Sequence, residues 1–126
     1  MAARLEHTNF TVTDPDATAR WMCDLFGWHV RWRGDSIHNG RSVHVGTEAQ
    51  YIALYRRPEI ARAQNDSYTT LGGLNHIAVV VDDIDATEDA VIKTGFTPQS
   101  HADYEPGKRF YFHDNDGIEY EIVQYG

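Results

Sequence analysis

A stretch of this chain recurs 69 residues further on, and the recurrence limits the folds open to it. Leu5–Thr18 (LEHTNFTVTDPDAT) laid over Leu74–Thr87 (LNHIAVVVDDIDAT) matches at seven of fourteen positions. The matches are Leu5/Leu74, His7/His76, Val12/Val81, Asp14/Asp83, Asp16/Asp85, Ala17/Ala86 and Thr18/Thr87. Beyond Thr18 and Thr87 each copy continues as an amphipathic stretch, a glycine and strand-like segments. One module is used twice.

Each copy reads as strand, helix and three strands. Leu5–Val12 alternates, with Thr8, Phe10 and Val12 on one face and His7, Asn9 and Thr11 on the other. A helix is predicted over Pro15–Phe26, with Asp14 as N-cap, Pro15 in the first turn and Gly27 past the end. Its apolar stripe is read as Ala17, Trp21 and Leu25, with Thr18 and Met22 alongside. Trp28–Arg33, Arg41–Gly46 and Gln50–Tyr55 read as strands. The second copy gives a strand at Asn75–Val81, a helix at Asp83–Thr94 ended by Gly95, and strands at Phe96–His101, Arg109–His113 and Ile118–Gln124.

The expected fold is therefore α+β, with two tandem βαβββ modules forming curved, barrel-like mixed sheets around a cavity. One domain is expected over residues 1–126, with module 1 over about 4–57, a connector over about 58–73 and module 2 over about 74–125. A short helical turn is expected within the connector around Pro58–Ala63. The helix covers one face of each sheet, so the uncovered faces, with His7 and His76, line the cavity.

Those two histidines fall at the same phase of both copies. On the last strand Tyr120 and Ile122 alternate towards the helix, which sends Glu119, Glu121 and Val123 the other way. Two imidazoles and one carboxylate, His7, His76 and Glu121, have the composition of a facial triad that leaves metal positions open. Iron, manganese, zinc, nickel and cobalt, all as divalent ions, suit such a set equally. Taken singly, a strand histidine is a hydrogen-bonded structural residue and a strand glutamate a surface charge; the repeat is what joins them.

The net charge of −8 argues against a nucleic-acid partner. The longest purely apolar run, Ile77–Val81, is far short of the ~20 residues of a membrane helix. The first six residues have no apolar stretch of the kind a secretion signal carries, and the single Cys23 suits a reducing, cytoplasmic setting.

The segments HTNFTVTD at His7 and HIAVVVDD at His76 resemble the vicinal oxygen chelate superfamily of glyoxalases, bleomycin-resistance proteins and extradiol dioxygenases. So does the closing segment Phe110–Glu121 (FYFHDNDGIEYE), which resembles that family's F-x-D-P-D-G-x-x-x-E run, with Asn115 where the family has proline. The resemblance spans nearly the whole chain. It implies paired modules, a divalent metal held by His7, His76 and Glu121, a small substrate that chelates through adjacent oxygens, and a homodimer.

One departure narrows the class. Ala53 aligns with Glu121, where glyoxalase I-like members carry a carboxylate, so three protein ligands remain and about three positions stay open on an octahedral ion. That pattern resembles ring-cleaving dioxygenases and fosfomycin-inactivating thiol transferases. In both, a tyrosine placed like Tyr111 hydrogen-bonds metal-bound substrate, so Tyr111 and Glu121 are the candidate catalytic residues. Asn9, Arg109 and His113 are the candidate substrate contacts. His113 or His101 has the chemistry of a general acid or base. His29, His38 and His44 read as solvated or structural, and Tyr51 and Tyr55 as fillers around Ala53. The loop Tyr104–Arg109 is a partial match to the thiol transferases' cation loop. The residues leave three readings open: a metal-dependent enzyme (dioxygenase, lyase or thiol transferase), a metal-free sequestering protein of the bleomycin-resistance type, or a regulatory module.

Overall fold

A computed structural model describes all residues, Met1–Gly126. The chain divides into two compact units, Met1–Ala61 and Arg62–Gly126.

The first unit contains β1 (His7–Thr11), α1 (Pro15–Phe26), β2 (His29–Ser36), β3 (Gly40–Gly46) and β4 (Tyr51–Arg56). Its four strands run in the order β1-β4-β3-β2, with β1 parallel to β4 and the other neighbours antiparallel. The second unit contains β5 (Ile77–Val80), α2 (Ile84–Thr94), β6 (Gln99–Tyr104), β7 (Gly107–His113) and β8 (Glu119–Tyr125). Its order, β5-β8-β7-β6, with β5 parallel to β8, repeats that of the first. This is the α+β pattern of two βαβββ units, each with a mixed sheet.

The helices begin and end where their caps dictate. The Asp14 carboxylate accepts from Ala17 N at 3.1 Å, and Gly27 takes the left-handed conformation at φ 70°. Asp83 repeats the cap by accepting from Ala86 N at 3.0 Å, and Gly95 repeats the stop at φ 103°. The packed stripe of α1 differs from the one read in the sequence. Pro15, Thr18, Ala19 and Met22 are buried, whereas Ala17, Trp21 and Leu25 are only half-buried on its flank. On the same helix Asp16 receives a bidentate pair from Arg41 of β3 at 2.7 and 2.9 Å.

The Asp16 carboxyl lies below the ordinary carboxylate range, chiefly through its hydrogen bond from Arg41. A depressed folded pKa stabilises the fold above the unfolded value and loses that contribution as pH falls through the folded one. Asp16→Asn should therefore flatten the acid limb of a stability–pH curve below about pH 4. Urea midpoints between pH 2 and 6 measure it, and an unchanged limb would show that the pair contributes nothing.

Strand limits differ from the sequence reading where bulges intervene. β2 bulges between Val30 and Trp32 and runs on to Ser36, then reverses through His38 and Asn39, both at φ 58°. β6 starts three residues later than read, with a bulge between Gln99 and Ala102 and Ser100 at φ 57°. The helical turn read at Pro58–Ala63 does not form. Instead the connector makes a 3-10 turn at Ser67–Thr69, where Asp66 accepts from Tyr68 N at 3.0 Å. No helix is long and apolar enough to cross a membrane.

The core of the first unit is Val12, Ala19, Met22, Val43, Val45 and Leu54. In the second, Phe112 stacks between Phe96 at 5.4 Å and Tyr120 at 5.1 Å, with Phe110, Ile122 and Val91 fully buried alongside. Alternation along β7 and β8 then leaves Arg109, Tyr111 and His113 beside Glu119 and Glu121 on the opposite face.

Candidate functional site

Register assembles the polar face of the second unit. Across β7 and β8, Tyr111 pairs with Glu121 and His113 with Glu119, while Arg109 pairs with Val123. β5 lies parallel beside β8, with Ile77 opposite Tyr120 and Ala78 opposite Glu121. His76, one residue before β5, thereby reaches both carboxylates. Its Nε2 is 3.2 Å from Glu121 Oε1, and its Nδ1 is 3.4 Å from Glu119 Oε2. Tyr111 meets the His76 ring edge-on at 5.9 Å.

Arg109 donates to the other Glu121 oxygen at 2.8 Å, and its guanidinium lies 5.2 Å from the Tyr104 ring centre. Both side chains of this pair are largely buried, and the Arg109 Nε–H is buried without a hydrogen-bond partner. His113 lies further out, 2.9 Å from the Gln99 amide and 3.5 Å from Glu119. His101 belongs to the helix side instead: it pairs with Glu88 on α2 at 2.9 Å and stacks on Phe110. The bulge in β6 turns it there.

One guanidinium faces two carboxylates, so the group is net anionic before any proton or metal is added. The Tyr111 phenol is held above its ordinary pKa by burial first and by the Glu121 charge second, so it stays a hydrogen-bond donor.

Two ligands of an octahedral ion at right angles, each about 2.1 Å from it, lie about 3 Å apart. The 3.2 Å between His76 Nε2 and Glu121 Oε1 fits such an edge. Arg109 on the far carboxylate oxygen is the kind of outer contact that orients a ligating carboxylate. The pair thus fits a divalent metal. No three His, Cys, Asp or Glu side chains surround one point as a metal cage.

His7, in the first unit, is engaged separately. Its Nδ1 lies 2.8 Å from Glu6 Oε1, and its ring stacks on Tyr51 at 4.8 Å. His44 also stacks on Tyr51, at 4.8 Å, and touches Trp32 at 5.2 Å. The Arg31 guanidinium sits 4.3 Å from the Tyr51 ring centre. Burial, and then the neighbouring His7, lowers the His44 pKa, which favours a neutral ring. Asn9 is exposed and in register with Ala53, itself buried and paired on its other side with His44.

Sequence reasoning missed two contributions. His44 was read as solvated or structural and is half-buried in a cluster of rings; its place on β3, across from Ala53, was the available signal. Tyr68 was passed over as part of a polar connector. Its hydroxyl lies 3.0 Å from His76 Nδ1 and donates to Glu119. The Asp66–Thr70 run followed by Gly72 and Gly73 carried the signal of a built turn, since a Cβ on Gly73 would lie 2.5 Å from Ser67 O.

Two units with the same strand order, each with a histidine at its first strand, define a glyoxalase/dioxygenase-like protein. The chain belongs to the Glyoxalase/Bleomycin resistance protein/Dioxygenase superfamily, whose model matches residues 4–122. No curated protein matches it. Among solved structures it is similar to a glyoxylase/bleomycin resistance protein/dioxygenase domain from a Frankia species, at TM-score 0.83 and 22% identity, covering 100% of this chain and 94% of that one. It is similar also to TnmS3, an antibiotic binding protein from a Streptomyces species, at TM-score 0.75 and 16% identity, covering 99% and 98%. A third is the fosfomycin resistance protein FosX from Listeria monocytogenes, at TM-score 0.75 and 18% identity, covering 100% and 95%, in a complex with Mn(II) and sulfate. At these identities the likeness speaks for the fold alone.

Proposed function

We propose that this protein is a divalent-metal-dependent enzyme acting on a small substrate with two adjacent oxygens. His76 and Glu121 are the ligands from the second unit, and His7 is the third. The observation carrying this is the 3.2 Å approach of His76 Nε2 to Glu121 Oε1. Both atoms are electron-pair donors when the ring is neutral, so a proton or a cation must lie between them. The FosX complex with Mn(II) supports the reading by showing that this fold holds such an ion in a related chain.

When bound, the ion supplies Lewis acidity, polarising a chelated oxygen. Arg109 holds Glu121 in place through the hydrogen bond from its guanidinium. Tyr111, kept protonated, donates to developing negative charge on the substrate. His113 and Asn9 are exposed polar groups for substrate contact. Ala53, where a fourth ligand would stand, offers no ligand atom, so that coordination position would be left to substrate or water. A homodimer is part of this reading, and sedimentation tests it.

A second reading is the sequestering of a planar ligand without turnover. It is favoured by the ring cluster of His7, His44, Tyr51 and Trp32, which offers stacking surface, and by the antibiotic-binding TnmS3 among the similar folds.

Metal analysis separates the two. Protein purified without added metal should carry close to one first-row ion per chain, lose it to chelator and regain it from added Mn²⁺. Oxygen uptake with catechols, and glutathione consumption with epoxides, then sort the reaction classes. A chain that neither retains nor takes up metal would leave the sequestering reading in its place.

A further inference from the structure

Each unit holds its first-strand histidine by Nδ1, using one carboxylate and one phenol. In the first unit His7 Nδ1 lies 2.8 Å from Glu6 Oε1, and the Tyr51 hydroxyl donates to the same oxygen at 3.2 Å. In the second, His76 Nδ1 lies 3.0 Å from the Tyr68 hydroxyl, which donates to Glu119 Oε2; that oxygen is also 3.4 Å from Nδ1.

The two clamps are not copies of one another. By strand register Tyr51, opposite His7, corresponds to Glu119, which precedes the Tyr120 opposite Ile77, and at the 69-residue offset Glu6 falls on Asn75. The carboxylate moves from the residue before the first strand to the last strand, and the phenol moves from the last strand to the connector turn. Different residues reach the same contact, which points to the contact as the conserved physical requirement within the two halves.

Counting protons fixes the tautomer. A carboxylate only accepts, so the Glu6 contact requires a proton on His7 Nδ1. The single Tyr68 proton goes to Glu119, so its oxygen can only accept from His76, which again places the ring proton on Nδ1. With a proton held on Nδ1, Nε2 is the nitrogen left for a metal; in the second unit it faces Glu121, and the proton between them is what an ion would replace. Free imidazole side chains in water favour the opposite tautomer.

We propose that Glu6 with Tyr51, and Tyr68 with Glu119, are positioning pairs that lock His7 and His76 in the Nδ1–H form and present Nε2 as the donor atom. Hydrogen bonding of the far nitrogen is how ligating histidines are generally oriented. The purpose assigned to the pairs rests on the metal reading above, whereas the tautomer does not.

Long-range ¹H–¹⁵N correlation spectra of the metal-free chain, at a pH where the rings are neutral, test it directly. The rings are assigned with His7→Gln and His76→Gln. Both should show a protonated Nδ1, and the Nε2 of His7 should be bare. Tyr68→Phe should shift His76 towards the solution tautomer and leave His7 unmoved, and Glu6→Ala should do the reverse. Tyr68 is 55% exposed, so its loss of one hydroxyl leaves the core intact. Mn²⁺ affinity should fall roughly 10- to 100-fold in Tyr68→Phe and in Glu119→Ala. A wild-type ring with a bare Nδ1, or a His76 Nδ1 proton indifferent to Tyr68→Phe, would overturn the proposal. Clamped tautomers in a chain that binds no metal would uphold the positioning pairs and overturn the metal reading instead.

Discussion

Glu121→Gln is expected to strip the protein of metal while leaving it folded. The carboxamide has the carboxylate's shape, so its oxygen can keep the 2.8 Å bond from Arg109. Its –NH₂ can donate to the His76 Nε2 lone pair across the present 3.2 Å gap. No buried polar group is left worse paired at that gap, and stability should change by less than about 1 kcal/mol. What disappears is the anionic donor. Outer contacts of metal ligands are worth about 10- to 100-fold in affinity, and losing a ligand itself should exceed that. Mn²⁺ titration against a competing chelator reads the change, with the urea midpoint as control. His76→Ala should match it in metal loss. Equal metal content in wild type and Glu121→Gln would remove Glu121 from the ligand set.

The polar cluster of the second unit was legible in part because strand alternation is a strong constraint. Once Phe110, Phe112, Tyr120 and Ile122 face the helix, Arg109, Tyr111, His113, Glu119 and Glu121 must share the other side, and the structure places them so. The caps at Asp14 and Asp83 were legible for a similar reason: a side chain three residues before a free N–H has one obvious partner. Contacts between distant segments were not. Arg41 reaches Asp16 of α1 from β3, and nothing local to Pro15–Phe26 announces it. Tyr68 is brought to His76 by a turn whose Asp66 and Gly73 look like ordinary connector residues. The ring cluster around Tyr51 likewise depends on four strands meeting in register, which alternation within any one strand does not reveal.

Asp114→Ala should be among the most destabilising single changes in the second unit, at about 3 kcal/mol. The carboxylate is buried and accepts three hydrogen bonds: from Asp116 N at 2.9 Å, Ile118 N at 3.0 Å and the Tyr120 hydroxyl at 2.9 Å. Burial raises its pKa, a cost these donors partly offset. Alanine removes the acceptor but not the donors. Depriving the fully buried Tyr120 hydroxyl of it alone costs about 1–3 kcal/mol, and the two backbone donors add to that. Asp114→Asn keeps one oxygen for the two N–H groups and should lose less than half as much, while Tyr120→Phe should cost about 1 kcal/mol. Because the two side chains share a bond, Asp114→Ala with Tyr120→Phe should cost less than the sum of the single changes. Urea midpoints for the four variants measure this, and strict additivity would show that the Asp114–Tyr120 bond is not what the carboxylate is for. The same turn, closed by Gly117 N to Asp114 O at 3.0 Å and by Gly117 at φ 83°, sets where β8 begins. It therefore sets whether Glu119 and Glu121 arrive opposite His113 and Tyr111. Asp114→Ala should weaken metal binding without touching a ligand, and Asp114→Asn should largely restore it.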